Sequence, residues 1–150
     1  MMKIDEIGHQ ILRVLGREGR IPNSELASKV GLSPSACLRR VQELERSGVI
    51  EGYRAILNRE AMGRSFLAYI AVGLGVHTKE GQESFERAVA AMPEVRECHN
   101  VTGTVEYLLR IEATDLAAYK RVHSDGLGTL PQVRTMTTYV VMGSPKDTRG

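Results

Sequence analysis

The run from Ser24 to Ile50, SELASKVGLSPSACLRRVQELERSGVI, constrains this chain more than any other stretch. Leu26 and Val30 are four apart and share one face of a helix. Ala27 beside them is small enough to let a second helix cross closely. Gly31 falls where the first helix should stop, since glycine enters the left-handed conformation cheaply. Ser33 then reads as an N-cap and Pro34 as the first residue of a second helix, where a missing N–H costs nothing. Cys37, Leu38, Val41 and Leu44 make an apolar stripe at helical spacing, and Gly48 closes the helix. Cap, turn and stripe agree on a helix, a tight turn and a helix, rather than a hairpin with incidental charges.

The polar side of that second helix carries Ser35, Arg39, Gln42, Glu43 and Arg46, with Arg40 near the stripe's edge. A helix fits the major groove of B-DNA, and arginine grips guanine edges and phosphates alike. Ser33 and Ser35, at the helix N-terminus, are expected to contact phosphate. Arg39 and Arg40 are the candidates for groove or phosphate contacts, against the competing pull of Glu43 and Glu45. Arg54 is a candidate wing contact, because Val49 to Leu57 reads as extended, either a short wing or a strand leading onward.

Upstream, Ile7, Ile11, Val14 and Leu15 predict an amphipathic helix that starts near Asp5 and stops at Gly19. Gly8 inside it costs up to ~1 kcal/mol relative to alanine. Asn58 to Ser65, with Gly63, reads as a hinge.

Beyond the hinge the pattern changes. Phe66 to Val76 is strand-like, and Phe85, Ala88, Val89 and Met92 follow at helical spacing until Pro93. Val95 to Thr102 alternates into a tight Gly103–Thr104 hairpin turn, and Val105, Tyr107, Leu109 and Ile111 share one face of the returning strand. Thr114 or Asp115 caps a helix through Leu116, Tyr119, Val122 and Leu127, Pro131 stops it, and Val133 to Met142 is a last strand. The order βαββαβ is the ferredoxin-like split. The fold class is therefore α+β: a (winged) helix-turn-helix domain over residues 1–57, a linker at 58–65, a ferredoxin-like domain over 66–143 and a tail at 144–150. Two helices on one face of four strands leave the other face bare, which predicts a homodimer or larger assembly.

Charge sharpens the choice of function. The net charge is only +2, with ten Lys/Arg against eight Asp/Glu in residues 1–60 and ten of each in residues 61–150. A structural protein that coats DNA needs a wider basic surface, so specific binding through a dimer is the better fit. An enzyme needs convergent acid, base or nucleophile groups, and the sequence offers only scattered carboxylates. Cys98 and His99 are neighbours on a strand and so point to opposite faces. His9, His77 and His123 have no metal spacing, and Cys37 lies in the apolar stripe. No catalytic residue, metal or cofactor is expected. The start of the chain does not read as a signal segment, no apolar run approaches ~18 residues, and a cytoplasmic, non-membrane protein with reduced thiols is expected.

The chain resembles the Lrp/AsnC, or feast/famine, family of transcriptional regulators over nearly its whole length. The resemblance rests on Ile21–Pro22–Asn23 leading into the Ser24–Ile50 run, on GYRAILN from Gly52, on PEVRECHNVTG from Pro93 and on EYLLRIEATDLAAYKRV from Glu106. It implies an N-terminal domain that binds double-stranded DNA, a C-terminal domain that binds an amino acid or related small molecule, and dimers often assembled into octamers. For such an effector the Gly103 turn is the first candidate, since a glycine turn brings backbone N–H groups close to a carboxylate. Glu106 is placed to meet an α-ammonium, and Thr135 and Thr137, two apart on the last strand, offer hydroxyls on one face. After Val101–Thr102–Gly103 the family often carries an aspartate, an aromatic residue and a second aspartate. Here Thr104, Val105 and Glu106 stand there, which keeps the turn and alters its chemistry.

Overall fold

A computed structural model describes residues 3–148. The chain divides into two compact units, one running to Ile56 and the other spanning Leu57–Asp147.

The first unit is three helices: α1 (Glu6–Leu15), α2 (Asn23–Val30) and α3 (Pro34–Arg46). Each boundary has a local cause. The Asp5 carboxylate accepts from Gly8 N at 2.9 Å and starts α1. Gly31 turns at φ +70° and ends α2, with Leu32 N returning to Ala27 O. Ser33 Oγ accepts from Ala36 N at 3.2 Å and starts α3, with Pro34 in its first turn. Ile11, Leu26, Ala27, Val30, Cys37 and Leu44 bury their side chains together. Ile11 is fully buried, and truncating such a residue to alanine costs ~2–5 kcal/mol. Burial pushes the Cys37 thiol up from its ordinary value, as suits a core residue.

Three expectations for this unit change. α1 stops at Leu15, where Gly16 N returns to Leu12 O, rather than at Gly19. Leu38 is 48% exposed, because Cys37, Val41 and Leu44 already fill the seam. Val49–Leu57 makes no strand within the chain, and Tyr53, Ile56 and Leu57 stand in solvent, with Tyr53 Oη donating to Glu45 at 2.9 Å.

The second unit is β1 (Phe66–Leu74), α4 (Lys79–Ala90), β2 (Val95–Asn100), β3 (Tyr107–Ala113), α5 (Leu116–Arg121) and β4 (Val133–Val140). The strands form one antiparallel sheet in the order β2-β3-β1-β4, the ferredoxin-like arrangement. The residues read as its hinge belong to this unit: Asn58–Arg64 is a tight turn with Gly63 at φ +70°, and Ser65 Oγ donates to Thr114 O.

Alternation sorts the strands into two faces. Ala68, Ile70, Val72, Tyr107, Leu109 and Ile111 face the helices and pack on Phe85, Val89 and Leu127. Tyr107 Oη donates to Glu86 at 2.6 Å, tying β3 to α4. Tyr119 of α5 stacks on Phe66, ring centroids 5.0 Å apart. α5 is shorter than expected. After Arg121 the chain widens into a π-helical turn over Val122–Gly126 and then tightens through Leu127–Thr129.

The other face is not uniformly bare. Tyr69, Leu108 and Tyr139 are exposed there, while Leu67, Ala71, Arg110 and Glu112 are buried. A one-residue slip between Val95 and Glu97 marks a bulge at Arg96, which reaches Glu112.

Candidate nucleic-acid interface and effector corner

α3 presents its polar side to solvent. Arg39 is exposed and has no bonded partner among the described residues, so its guanidinium stands clear of the unit. Arg40 differs: its guanidinium is paired with the Asp5 carboxylate, the group that also caps α1. That pairing and the Gly8 N–H hold Asp5 at about 2, below the ordinary 3.8. In this arrangement Arg40 joins α1 to α3. Arg54 is exposed, in the unpaired segment after α3. Ser33 and Ser35 lie exposed at the α3 N-terminus with hydroxyls 3.4 Å apart, where free backbone N–H groups favour an anion. Asn23 Nδ2 donates to Pro34 O at 2.9 Å and locks the start of α2 to the start of α3. The sequence reading missed this brace, and an asparagine just after Pro22 was its only signal.

In the second unit, strand pairing brings together some of the expected effector residues and leaves others apart. The connection from β2 to β3 is a six-residue loop, Val101–Glu106, rather than a tight two-residue turn. Glu106 N donates to Val72 O and Val101 N to Glu106 O, so regular β2–β3 pairing stops short of both. Gly103 sits in the loop at φ +132°, a conformation that side chains resist, with open space where a Cβ would be. Thr104 beside it is exposed.

Glu106 folds back onto the sheet. Its Oε2 accepts from Leu74 N at 2.7 Å, and its Oε1 lies 3.5 Å from His77 Nδ1. Thr135 pairs with Gly73 across β4 and β1. A Cβ built on Gly73 would lie 2.3 Å from Thr135 Oγ1 and 3.8 Å from Glu106 Oε2. The hydroxyl therefore closes over Gly73 more tightly than a side chain there would allow, with the carboxylate at ordinary contact distance beside it. Thr137 lies one row further, beside Ala71, on the same face. Gly73 was not singled out in the sequence, although a glycine inside a strand signals close approach, and His77 was weighed only as a metal ligand.

Elsewhere in this unit a cavity of about 610 Å³ lies on the helical side, lined by Leu116, Ala117, Tyr119, Lys120, His123 and Thr138. It shares no residue with the Glu106 corner, and its lining offers no carboxylate to an ammonium. Cys98 lies in the row of Leu109 and His99 in the row of Leu108, on opposite faces. No group of three or more His, Cys, Asp or Glu among the described residues is placed to hold a metal.

Comparison with known proteins agrees with both halves. Residues 4–51 match the family model described as winged helix-turn-helix DNA-binding, and residues 67–150 match the Lrp/AsnC ligand binding domain. The leucine-responsive regulatory proteins of Escherichia coli K12 and Salmonella typhimurium LT2 are each 41% identical over 143 residues, spanning 95% of this chain and 87% of theirs. A transcriptional regulator from Neisseria meningitidis, solved as its L-Met complex, superposes with a TM-score of 0.93 at 34% identity, covering 97% of this chain and 94% of that one. The feast or famine regulatory protein of M. tuberculosis complexed with L-methionine superposes at 0.87 and 28% identity, covering 99% and 98%.

Proposed function

This chain belongs to the Lrp/AsnC family of transcriptional regulators, and from that membership we propose how its two units divide the work. The first reads double-stranded DNA through α3. Ser33 and Ser35 meet phosphate, Arg39 enters the groove, and Arg54 adds a backbone contact. Arg40 serves chiefly to hold α3 against α1. The observation that carries this reading is the unpaired, solvent-facing Arg39 on a doubly capped helix. A DNA-reading protein of this kind works in the cytoplasm, beside the chromosome.

The second unit binds an aliphatic L-amino acid at the Glu106 corner. Glu106 Oε1 takes the α-ammonium while Oε2 stays on Leu74 N. The Gly103–Thr104 loop brings backbone N–H groups to the α-carboxylate, and the Thr135 and Thr137 hydroxyls border the site. The relatives point to leucine and methionine, two being named leucine-responsive and two being solved with L-methionine.

Tyr69, Leu108 and Tyr139 on the outer sheet face are covered by a second copy, so that two reading heads engage one operator, and dimers assemble further into octamers. The corner borders that face through Ala71 and Thr137, so a ligand there alters how copies fit. Its effect on DNA binding is bounded by its differential affinity for the assemblies. The reading is tested by selecting DNA from a random-sequence pool and titrating the selected fragment with and without leucine or methionine. Saturable, sequence-dependent binding that shifts with one of them is expected. Equal affinity for selected and scrambled DNA would refute the reader, and indifference to every amino acid would refute the sensor.

A further inference from the structure

The cavity on the helical side of the sheet has a lining whose chemistry differs from that of the Glu106 corner. Leu116, Tyr119, Lys120 and His123 are three and four apart, so they share one face of α5 and its continuation. Thr138 closes the cavity from β4, in the row of Ile70. Leu116 stands at its edge with an aliphatic side chain 65% exposed. The widened turn that carries His123 is built in, because a Cβ on Gly128 would lie 2.9 Å from His123 O. Such π-helical turns gather at functional sites.

The polar groups of the lining are few and suit one kind of ligand. Lys120 is exposed and has no bonded partner among the described residues. The acidic residue nearest in sequence, Asp115, already accepts from Ala118 N at 2.7 Å. Tyr119 is buried, and its hydroxyl is bonded to that of Thr138. Two hydroxyls that share one hydrogen bond use one of their two protons, so one O–H is left to donate. His123 carries a ring N–H in either protonation state. An ammonium, a hydroxyl and a ring N–H thus border a cavity of about 610 Å³, a volume that fits a small ligand. A zwitterionic amino acid would bring a second ammonium to Lys120 with no carboxylate to meet it.

We propose that this cavity is a second ligand site, which takes a small carboxylate with an aliphatic body and no ammonium group. Lys120 meets the carboxylate, the Tyr119–Thr138 hydroxyl pair donates to one of its oxygens, and Leu116 and Ala117 cover the aliphatic part. The two sites of the second unit then sort ligands of similar bulk by head group: one with an ammonium goes to Glu106, one without goes to Lys120. The cavity shares no residue with the corner, so either site can fail without the other.

The test is calorimetric titration of the full chain with three ligands of one aliphatic body: isocaproate, the keto acid of leucine, and leucine. Isocaproate and the keto acid should bind saturably, and Lys120→Gln should weaken both by about tenfold to a hundredfold. Ala117→Phe, which fills the mouth from an exposed helical position, should abolish both, and Glu106→Gln should leave both unchanged. In the Glu106→Gln chain, leucine should not compete with either. Tighter binding of the keto acid than of isocaproate would show that the free hydroxyl proton meets the keto oxygen. In the wild type, isocaproate should shift the ring protons of His123 and leave those of His77 in place, a readout that needs no variant. No saturable binding of either carboxylate up to ~1 mM overturns the proposal. So does binding that Glu106→Gln removes and Lys120→Gln spares, which would place the carboxylates in the corner. If Ala117→Phe changes the sedimentation of the chain and no carboxylate binds, the cavity is a contact between copies and the proposal is wrong.

Discussion

The helix-turn-helix unit and the sheet unit place their functional groups by different means. Around α3 the groups offered to DNA are placed locally: Ser33 caps a helix that begins one residue later, and Arg39 is clear of the seam because Cys37 and Val41 are in it. At the sheet corner nothing is local. Gly73 on β1, Glu106 just before β3 and Thr135 on β4 meet only when β3, β1 and β4 are paired side by side. A single change in α3 should therefore alter one contact, while a single change at the corner should disturb all of it.

Gly73→Val breaks the comparison hardest. Its side chain would occupy the space of Thr135 Oγ1, 2.3 Å from the Cβ position, and crowd Glu106. Overpacking of this kind costs ~1–3 kcal/mol in the fold, and the corner should lose the effector altogether. Calorimetric titration with leucine and methionine should show no heat of binding, while the first unit keeps its affinity for selected DNA.

Arg39→Ala and Arg40→Ala sharpen it from the other side. Removing Arg39 should leave the thermal melt unchanged and cost ~1–3 kcal/mol of binding to the selected fragment. Removing Arg40 should affect DNA less, and should lower the melting temperature because Asp5 loses its partner. Equal losses of DNA affinity from both would undo the division of labour between the two arginines.

The smallest effect is one of pH. Asp5 is held at about 2 in the fold, against an ordinary 3.8. A carboxylate depressed in this way adds stability that is fully present above the ordinary value and is lost as pH falls through the folded one. The first unit should weaken as pH drops from about 4 to about 2. Asp5→Asn should flatten that part of the profile while leaving α1 capped. A variant profile as steep as the wild type would mean that other carboxylates govern it.

The same contrast decides what the sequence could tell. Caps and left-handed glycines are written within four residues of where they act, so Ser33, Gly31 and the edges of α3 were legible. So was the strand-and-helix order of the second unit, because Tyr107, Leu109 and Ile111 alternate cleanly. Whether a β-rich stretch finds a partner is not local, and Val49–Leu57 finds none in this chain. The hairpin was read too short because Glu106 pairs its backbone with Val72, 34 positions back, which no turn pattern records. Arg40 looked like a neighbour of Arg39 on the same surface. Only the packing of α1 on α3 brings Asp5 to it.

The central claim is that an effector bound at the corner of the second unit controls DNA reading by the first. The direct test titrates the selected DNA fragment with wild type and Glu106→Gln at rising leucine or methionine, with effector binding measured by calorimetry in parallel. Glutamine keeps an oxygen for Leu74 N and loses the charge, so effector affinity should fall by roughly ten- to a hundredfold. DNA affinity without effector should stay as in the wild type, and the effector concentration that shifts DNA binding should rise by the same factor. If Glu106→Gln answers the effector at the wild-type concentration, the sensing site lies elsewhere and the account of the corner is wrong.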